Sequence, residues 1–235
     1  LYADYVDTFG DAHYFKGMVG YNYEQSTYKS TYVQRNGLLL DDSENINLAL
    51  GDAITTSGGY NRWRVAGGFF RLNYAFKDRY LLEVNGRYDG SSKFPKNSRF
   101  GFFPSVSAGW RISEEAFMKP LNSVLSNLKL RGSWGNIGNQ SITPYAYIPG
   151  MDAEQAYWTV SGIKVTTLKP AALVSNSFTW EKVTTIDVGF DLGLMDNRLN
   201  MVFDWYRRDT KGMLAPGSEL PGVLGASAPL QNTAD

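Results

Sequence analysis

Hydrophobic and polar residues alternate along much of this chain with a period of two, the repeat of an extended strand whose successive side chains point to opposite faces. In RYLLEVNGRYDGSSKF, residues 79–94, Tyr80, Leu82, Val84, Gly86 and Tyr88 share one parity. Glu83, Asn85, Arg87 and Asp89 share the other, and the alternation dissolves at Asp-Gly-Ser-Ser. Near 61–77, Phe70, Leu72, Tyr74 and Phe76 oppose Arg71, Asn73 and Lys77, with Phe69 standing among the polar set. At 101–113, Phe102, Val106 and Trp110 oppose Ser105, Ser107 and Arg111; at 127–135, Leu128, Leu130 and Trp134 oppose Lys129, Arg131 and Ser133. At 178–194, Phe178, Trp180, Ile186, Val188 and Phe190 oppose Glu181, Thr185, Asp187 and Asp191. At 198–208, Leu199, Phe203 and Trp205 oppose Asp204 and Arg208. A less regular run at 12–24 sets Phe15, Val19, Tyr21 and Tyr23 against Lys16, Asn22 and Glu24. The pattern predicts an all-β chain of about seven antiparallel strands.

The connections alternate in length. Those at 77–79, 195–198 and 114–126 share one end and are short to moderate, the last reading as a helical turn with Ser113 as N-cap. Those at 25–60, 90–100, 137–177 and beyond 210 share the other end and are mostly long and rich in Gly, Ser, Asn and Tyr. A soluble β-sandwich also alternates, but its strands average roughly five or six residues. Several runs here reach the roughly nine to eleven residues that a tilted strand needs to cross a bilayer. Tyr80, Tyr88, Phe102, Trp110, Trp134, Phe178, Trp180 and Trp205 lie near the ends of the apolar runs, where membrane girdles sit. A transmembrane β-barrel is therefore preferred, with a soluble carbohydrate-binding β-sandwich as the alternative.

Composition narrows the picture further. Among 235 residues there are 23 basic and 23 acidic side chains, so no excess charge points to nucleic acid. Fifteen Tyr, thirteen Phe, six Trp and 24 Gly fit a β protein with many turns. There is no Cys, and no apolar run is long enough for a membrane helix, a fact without bearing on a barrel.

Candidate chemistry is sparse. Arg71, Glu83, Asn85, Arg87, Asp89, Arg111, Lys129, Arg131, Asp187, Asp191, Asp204 and Arg208 share the polar parity, as a hydrated wall of compensating charges would. Asp187 and Asp191 lie about 13 Å apart along one strand, too far for a glycosidase pair unless a neighbouring strand supplies a partner. One His and no Cys make a zinc or copper site improbable; no metal or cofactor is expected. Asp41-Asp42-Ser43-Glu44-Asn45 has Ile46 where a calcium loop demands Gly, so it reads as a solvated acidic loop. GNIGN at 135–139 and GVLG at 222–225 read as glycine loops without phosphate-binding context. The best binding candidates are the loop aromatics Tyr145, Tyr147, Tyr157 and Trp158, with Tyr28, Tyr32, Tyr60 and Trp63 beside another loop, because aromatic faces stack on sugar rings.

Residues 79–113, RYLLEVNGRYDGSSKFPKNSRFGFFPSVSAGWRIS, resemble the barrel of SusC/RagA-type TonB-dependent outer-membrane transporters. NLKLRGSWGNIGNQ at 127–140, FTWEKVTTIDVGFDLGLMDNRLNMVFDWYRRDTKGML at 178–214 and LPGVLGASAPLQNTAD at 220–235 follow in family order. HYFKGMVGYNYEQ at 13–25 fits the preceding strand. The resemblance implies a segment of a 22-stranded barrel, with residues 1–235 belonging to its wall and no plug domain among them. It further implies the outer membrane of a Gram-negative, Bacteroidetes-type bacterium and import of an oligosaccharide or peptide without catalysis. The implied partners are outer-membrane lipid, a SusD-like surface lipoprotein and TonB, the last acting through a plug outside this segment.

Overall fold

The alternating runs pair into one continuous sheet. In the computed structural model, which describes residues 1–38, 45–51, 54–121, 123–175 and 177–235, this sheet has eight strands. In chain order the strands are β1 (Tyr2–Phe9), β2 (His13–Arg35), β3 (Ile54–Phe76), β4 (Tyr80–Ser91), β5 (Phe100–Arg111) and β6 (Leu125–Asn139). They continue as β7 (Ala153–Val160), β8 (Ile163–Leu168), β9 (Glu181–Leu194), β10 (Leu199–Lys211), β11 (Met213–Pro216) and β12 (Leu230–Ala234). The main sheet runs β1-β2-β3-β4-β5-β6-β9-β10, each strand antiparallel to its neighbours, while β7/β8 and β11/β12 form separate hairpins. Among the described residues no second sheet packs on this one as a sandwich requires, so the soluble-sandwich alternative does not hold.

Turns at one end are tight. Lys77 and Asp78 both take positive φ, as does the Gly10–Asp11 pair, the geometry that lets a two-residue turn follow the twist of its strands. Met195, Asp196 and Asn197 do the same between β9 and β10. The 112–124 connection is two short 3₁₀ turns, Ile112–Glu114 and Ala116–Leu121. Ser113 lies inside the first turn, buried and with its hydroxyl unpaired, rather than capping a helix.

Several elements differ from the sequence reading, among them β7, β8, β11 and β12, which lie in connections expected to be loops. β1 goes unannounced in the sequence because Asp7 stands on its outward parity and Tyr2 and Val6 on the inward one, although the outward parity also carries Tyr5 and Phe9. The expected loop at 25–60 is largely strand, since β2 and β3 stay paired from His13↔Phe76 to Arg35↔Ile54. Their upper halves, rich in Thr, Ser and Tyr, have strand propensity without a hydrophobic alternation to announce it. GNIGN completes β6, and GVLG forms a 3₁₀ turn ended by Gly225 at φ 58°. Residues 41–44 of the acidic loop lie outside the described residues.

The sheet is inside-out relative to a water-soluble fold. Cross-strand rows such as Leu72↔Val84↔Val106↔Trp134↔Ile186 place apolar residues side by side. On this face Val19, Leu72, Leu82, Leu130, Val188, Phe203 and Trp205 are all exposed. An apolar surface spread over this many strands marks contact with a membrane or partner. Phe70 stands over Gly86 and Phe100 over Gly90, each a direct cross-strand pair in which the ring covers backbone that glycine leaves bare. At the short-turn end, His13, Phe76, Tyr80 and Trp110 form a continuous aromatic row, with Tyr80 and Trp110 stacked at 6.3 Å. Toward the long-loop end, Tyr88 stacks on Phe100 at 5.2 Å.

Candidate functional site

The opposite face carries a ladder of polar pairs. Arg71, Asn85, Ser105, Gly135, Thr185 and Arg208 form one cross-strand row. Along it, Arg71 Nε donates to Asn85 Oδ1 at 2.8 Å, and Asn85 Nδ2 donates to Glu83 Oε1 at 2.7 Å. Glu83 also accepts from Asn73 at 2.6 Å, so its carboxylate is held on both sides. Arg87 grips Asp89 with two bonds of 2.9 and 3.0 Å and reaches Asn22 on β2 at 2.9 Å. Its guanidinium lies 5.2 Å over the ring of Phe69, the aromatic that broke the polar parity and that packs over Gly20. Phe69, Arg71, Glu83, Asn85, Arg87 and Asp89 line a cavity of about 700 Å³ shared with Phe103, Ser105 and Ser133.

A second cluster centres on Arg131. Its register partner is Gly189, whose own partner on β10 is Asp204. A Cβ at 189 would collide with the Asp204 carboxylate, so glycine opens the path by which Arg131 crosses β9 to bind Asp204 at 2.7 Å. Asp191 and Asp187 flank Gly189 and sit 3.2 and 3.9 Å from the same guanidinium. All three strand carboxylates thus converge on one arginine, an arrangement for fixing charge rather than for acid–base work on a substrate. The sequence reading had these residues but not Gly189, whose signal was its position between two aspartates on the polar parity. Arg111 stands apart at the short-turn end, bonded to Asp78 O and Glu114. Arg208 is exposed at the β10 end of its row.

At the long-loop end, Phe94, Phe103, Phe178 and Trp180 form a buried cluster with Ile142, Ala146, Tyr147 and Leu214 packed against it. Trp180 donates from Nε1 to Arg99 O at 2.8 Å, and Asn232 bonds both N–H and C=O of Thr179. These bonds draw residues 177–180 out of β9. Phe178 and Trp180 are therefore not girdle aromatics, as their parity had implied, but the core of the mouth. The loop aromatics separate accordingly. Tyr147 packs on this core and Tyr145 donates to Arg62 O at 2.8 Å, whereas Tyr157 is 94% and Trp158 59% exposed on the β7/β8 hairpin. Tyr28, Tyr32 and Tyr60 lie on the upper β2/β3 ribbon, and Lys93 Nζ sits 5.1 Å over Trp63.

The short-turn end holds a residue that no sequence pattern singles out. Glu115 accepts from Tyr80 Oη at 2.7 Å, Trp110 Nε1 at 3.2 Å and Arg79 Nη1 at 3.2 Å. The Tyr80 hydroxyl first, then the Trp110 indole and the Arg79 charge, hold its carboxyl below the usual range. Among the described residues no three His, Asp or Glu side chains are grouped to hold a metal, and no helix is long and apolar enough to cross a membrane.

An antiparallel meander that is apolar outward, ion-paired inward and edged by aromatic rows is the wall of a membrane β-barrel. The chain belongs to the family described as TonB dependent receptor-like, beta-barrel, whose model matches residues 2–235. It is 33% identical to TonB-dependent receptor P26 of Formosa agariphila across 97% of this chain and 23% of that protein. It is 42% identical to TonB-dependent receptor SusC of Bacteroides thetaiotaomicron across 62% of this chain and 15% of that protein. The RagAB peptide importer in its 'open-open' state shares the fold with a TM-score of 0.83 at 23% identity, over 99% of this chain and 25% of that one. The chain therefore spans about a quarter of the length of the structure and about that of P26.

Proposed function

We propose that these residues are barrel wall of an active nutrient importer in the outer membrane of a Gram-negative, Bacteroidetes-type bacterium. The observation that carries this reading is the inversion of the sheet, with lipid-compatible side chains outward and a hydrated ion-paired ladder inward. The cargo class is an oligosaccharide or a peptide, supported by the likeness to SusC and to the structures described as RagAB peptide transporter and importer. A plug domain outside residues 1–235 couples transport to TonB, and a SusD-like surface lipoprotein closes the mouth. The exposed Tyr157 and Trp158 are the surface offered to lid or cargo, with Tyr145 and Tyr147 bracing the loop beneath them. Arg71, Glu83, Asn85, Arg87, Arg131, Asp187, Asp191, Asp204 and Arg208 line the lumen, and Arg111 its inner rim. The wall performs no chemistry, since the inward carboxylates of Glu83, Asp89, Asp187, Asp191 and Asp204 are engaged by neighbouring side chains.

Charge placement tests the reading in the full-length protein. Leu82→Arg or Val84→Arg loses roughly 2 to 4 kcal/mol of stability near the bilayer midplane, and assembly and uptake fall with it, while Asn85→Arg is tolerated. Equal tolerance at both parities overturns it.

A further inference from the structure

The β2/β3 ribbon changes character above its apolar band. Its outward parity carries Val19, Tyr21 and Tyr23 opposite Phe70, Gly68 and Ala66. From there upward, between Tyr23 and Arg35 and between Ile54 and Ala66, the same parity carries Lys29, Arg35, Arg62 and Arg64 and no carboxylate. Gln25 Oε1 accepts from Arg62 Nη2 at 2.8 Å and from Arg64 Nε at 3.0 Å, fixing two guanidiniums side by side. Like charges so placed repel unless an anion is shared between them. Among the described residues none of the ion pairs involves Lys29, Arg62 or Arg64. Lys29 Nζ lies 6.0 Å from the ring of its register partner Tyr60, and both are exposed.

The height of this cluster is decisive. Arg64 follows Phe76, at the short-turn aromatic row, by twelve positions up β3, about 40 Å along the strand at about 3.3 Å per residue. At a strand tilt of about 40° that is about 30 Å along the membrane normal, just beyond an apolar band about 25 Å tall. Arg62 lies slightly higher, at headgroup level, and Lys29, level with Tyr60, stands about 10 Å above Arg64, from where its long flexible stem reaches down toward the same headgroups. Guanidinium presents paired donors that match phosphate oxygens, and an ammonium adds a point charge.

We infer that Lys29, Arg62 and Arg64 form a binding patch for the phosphate of an anionic outer-leaflet lipid, pinning the foot of the ribbon to the membrane surface. The inference rests on the outward parity facing lipid, as proposed above.

The test is made on the full-length protein in neutral detergent micelles doped with phosphatidic acid or with phosphatidylcholine, reading retained lipid by mass spectrometry. Wild type retains phosphatidic acid in preference to phosphatidylcholine. Arg62→Gln with Arg64→Gln weakens that retention roughly thirtyfold and Lys29→Gln roughly fivefold, taking about one surface charge's worth of attraction per residue. Heat-modifiable gel migration verifies folding; if the double variant does not fold, Lys29→Gln decides alone. Equal retention by wild type and folded variants, or of the two lipids, overturns the inference. Displacement of phosphatidic acid by an equal concentration of inorganic phosphate assigns the patch to a free anion and overturns it too. If Leu82→Arg and Asn85→Arg differ as expected while lipid retention does not, the patch alone fails; if they do not differ, the membrane reading fails with it.

Discussion

Arg131 reaches Asp204 across an intervening strand because residue 189 has no side chain to stop it. The bond is charge-assisted and partly shielded from water, with Arg131 29% and Asp204 38% exposed at the side chain. A double-mutant cycle of Arg131→Gln and Asp204→Asn in the full-length protein should give a non-zero coupling, the double variant losing less stability than the two single losses together. Additive single effects would show that the two side chains do not share the bond. Glu115 makes a prediction in pH. Its folded carboxyl titrates below its unfolded value, so its three bonds stabilise the fold at neutral pH, and that contribution disappears as pH falls through the folded value. The stability difference between wild type and Glu115→Gln should therefore stay constant near neutrality and shrink below about pH 4, the ordinary glutamate range. A difference growing toward acid would reverse the assignment.

At the scale of elements, β2 and β3 are two structures in one hairpin. Below Glu24↔Val65 they are flanked by β1 or β4; above it, Gln25–Arg35 and Ile54–Arg64 pair with each other and with no other strand among the described residues, while Ser92 bonds the Arg64 backbone and Tyr145 the Arg62 carbonyl at the ribbon's foot. That ribbon rises about 36 Å at about 3.3 Å per residue. An isolated two-stranded ribbon is marginal in water, so its backbone bonds open by local fluctuation. In the purified full-length protein, amides of 25–35 and 54–64 should exchange at least tenfold faster than those of 14–23 and 66–75. Matching protection would mean that another part of the molecule covers the ribbon. The same contrast explains why the sequence disclosed one half and hid the other. The lower half divides lipid from water and shows it as Phe70-Arg71-Leu72-Asn73-Tyr74; the upper half has water on both sides, and Tyr28, Thr31 and Ser57 report nothing about pairing.

For the whole molecule, the sheet's rows organise two solvents rather than a core. The buried hydrophobic cluster, Phe94, Phe103, Phe178 and Trp180, sits at the mouth and holds loops, while the strands present their apolar residues outward. The loops thus form a small globular unit seated on the polar side of an inverted sheet. Tyr147 belongs to that unit and Trp158 projects beyond it, a distinction composition could not make between two aromatics in one connection.

The sequence by itself determined the alternation, and with it the lower halves of β2 and β3, the strands β4 to β6, β9 and β10, the two faces and the end at which short turns lie. A period of two is a local property, readable because each face meets a uniform solvent. The tertiary structure alone decided which charges meet. Asp187 and Asp191 are distant along their strand, yet one guanidinium from β6 joins them to Asp204 through the opening at Gly189. It alone drew Trp180 from the lipid parity into the mouth, because hydrogen bonds to Arg99 O and with Asn232, distant in the chain, outweigh the local alternation at the start of β9. Partner choice across strands depends on register, and register is set by contacts between segments that no single segment contains.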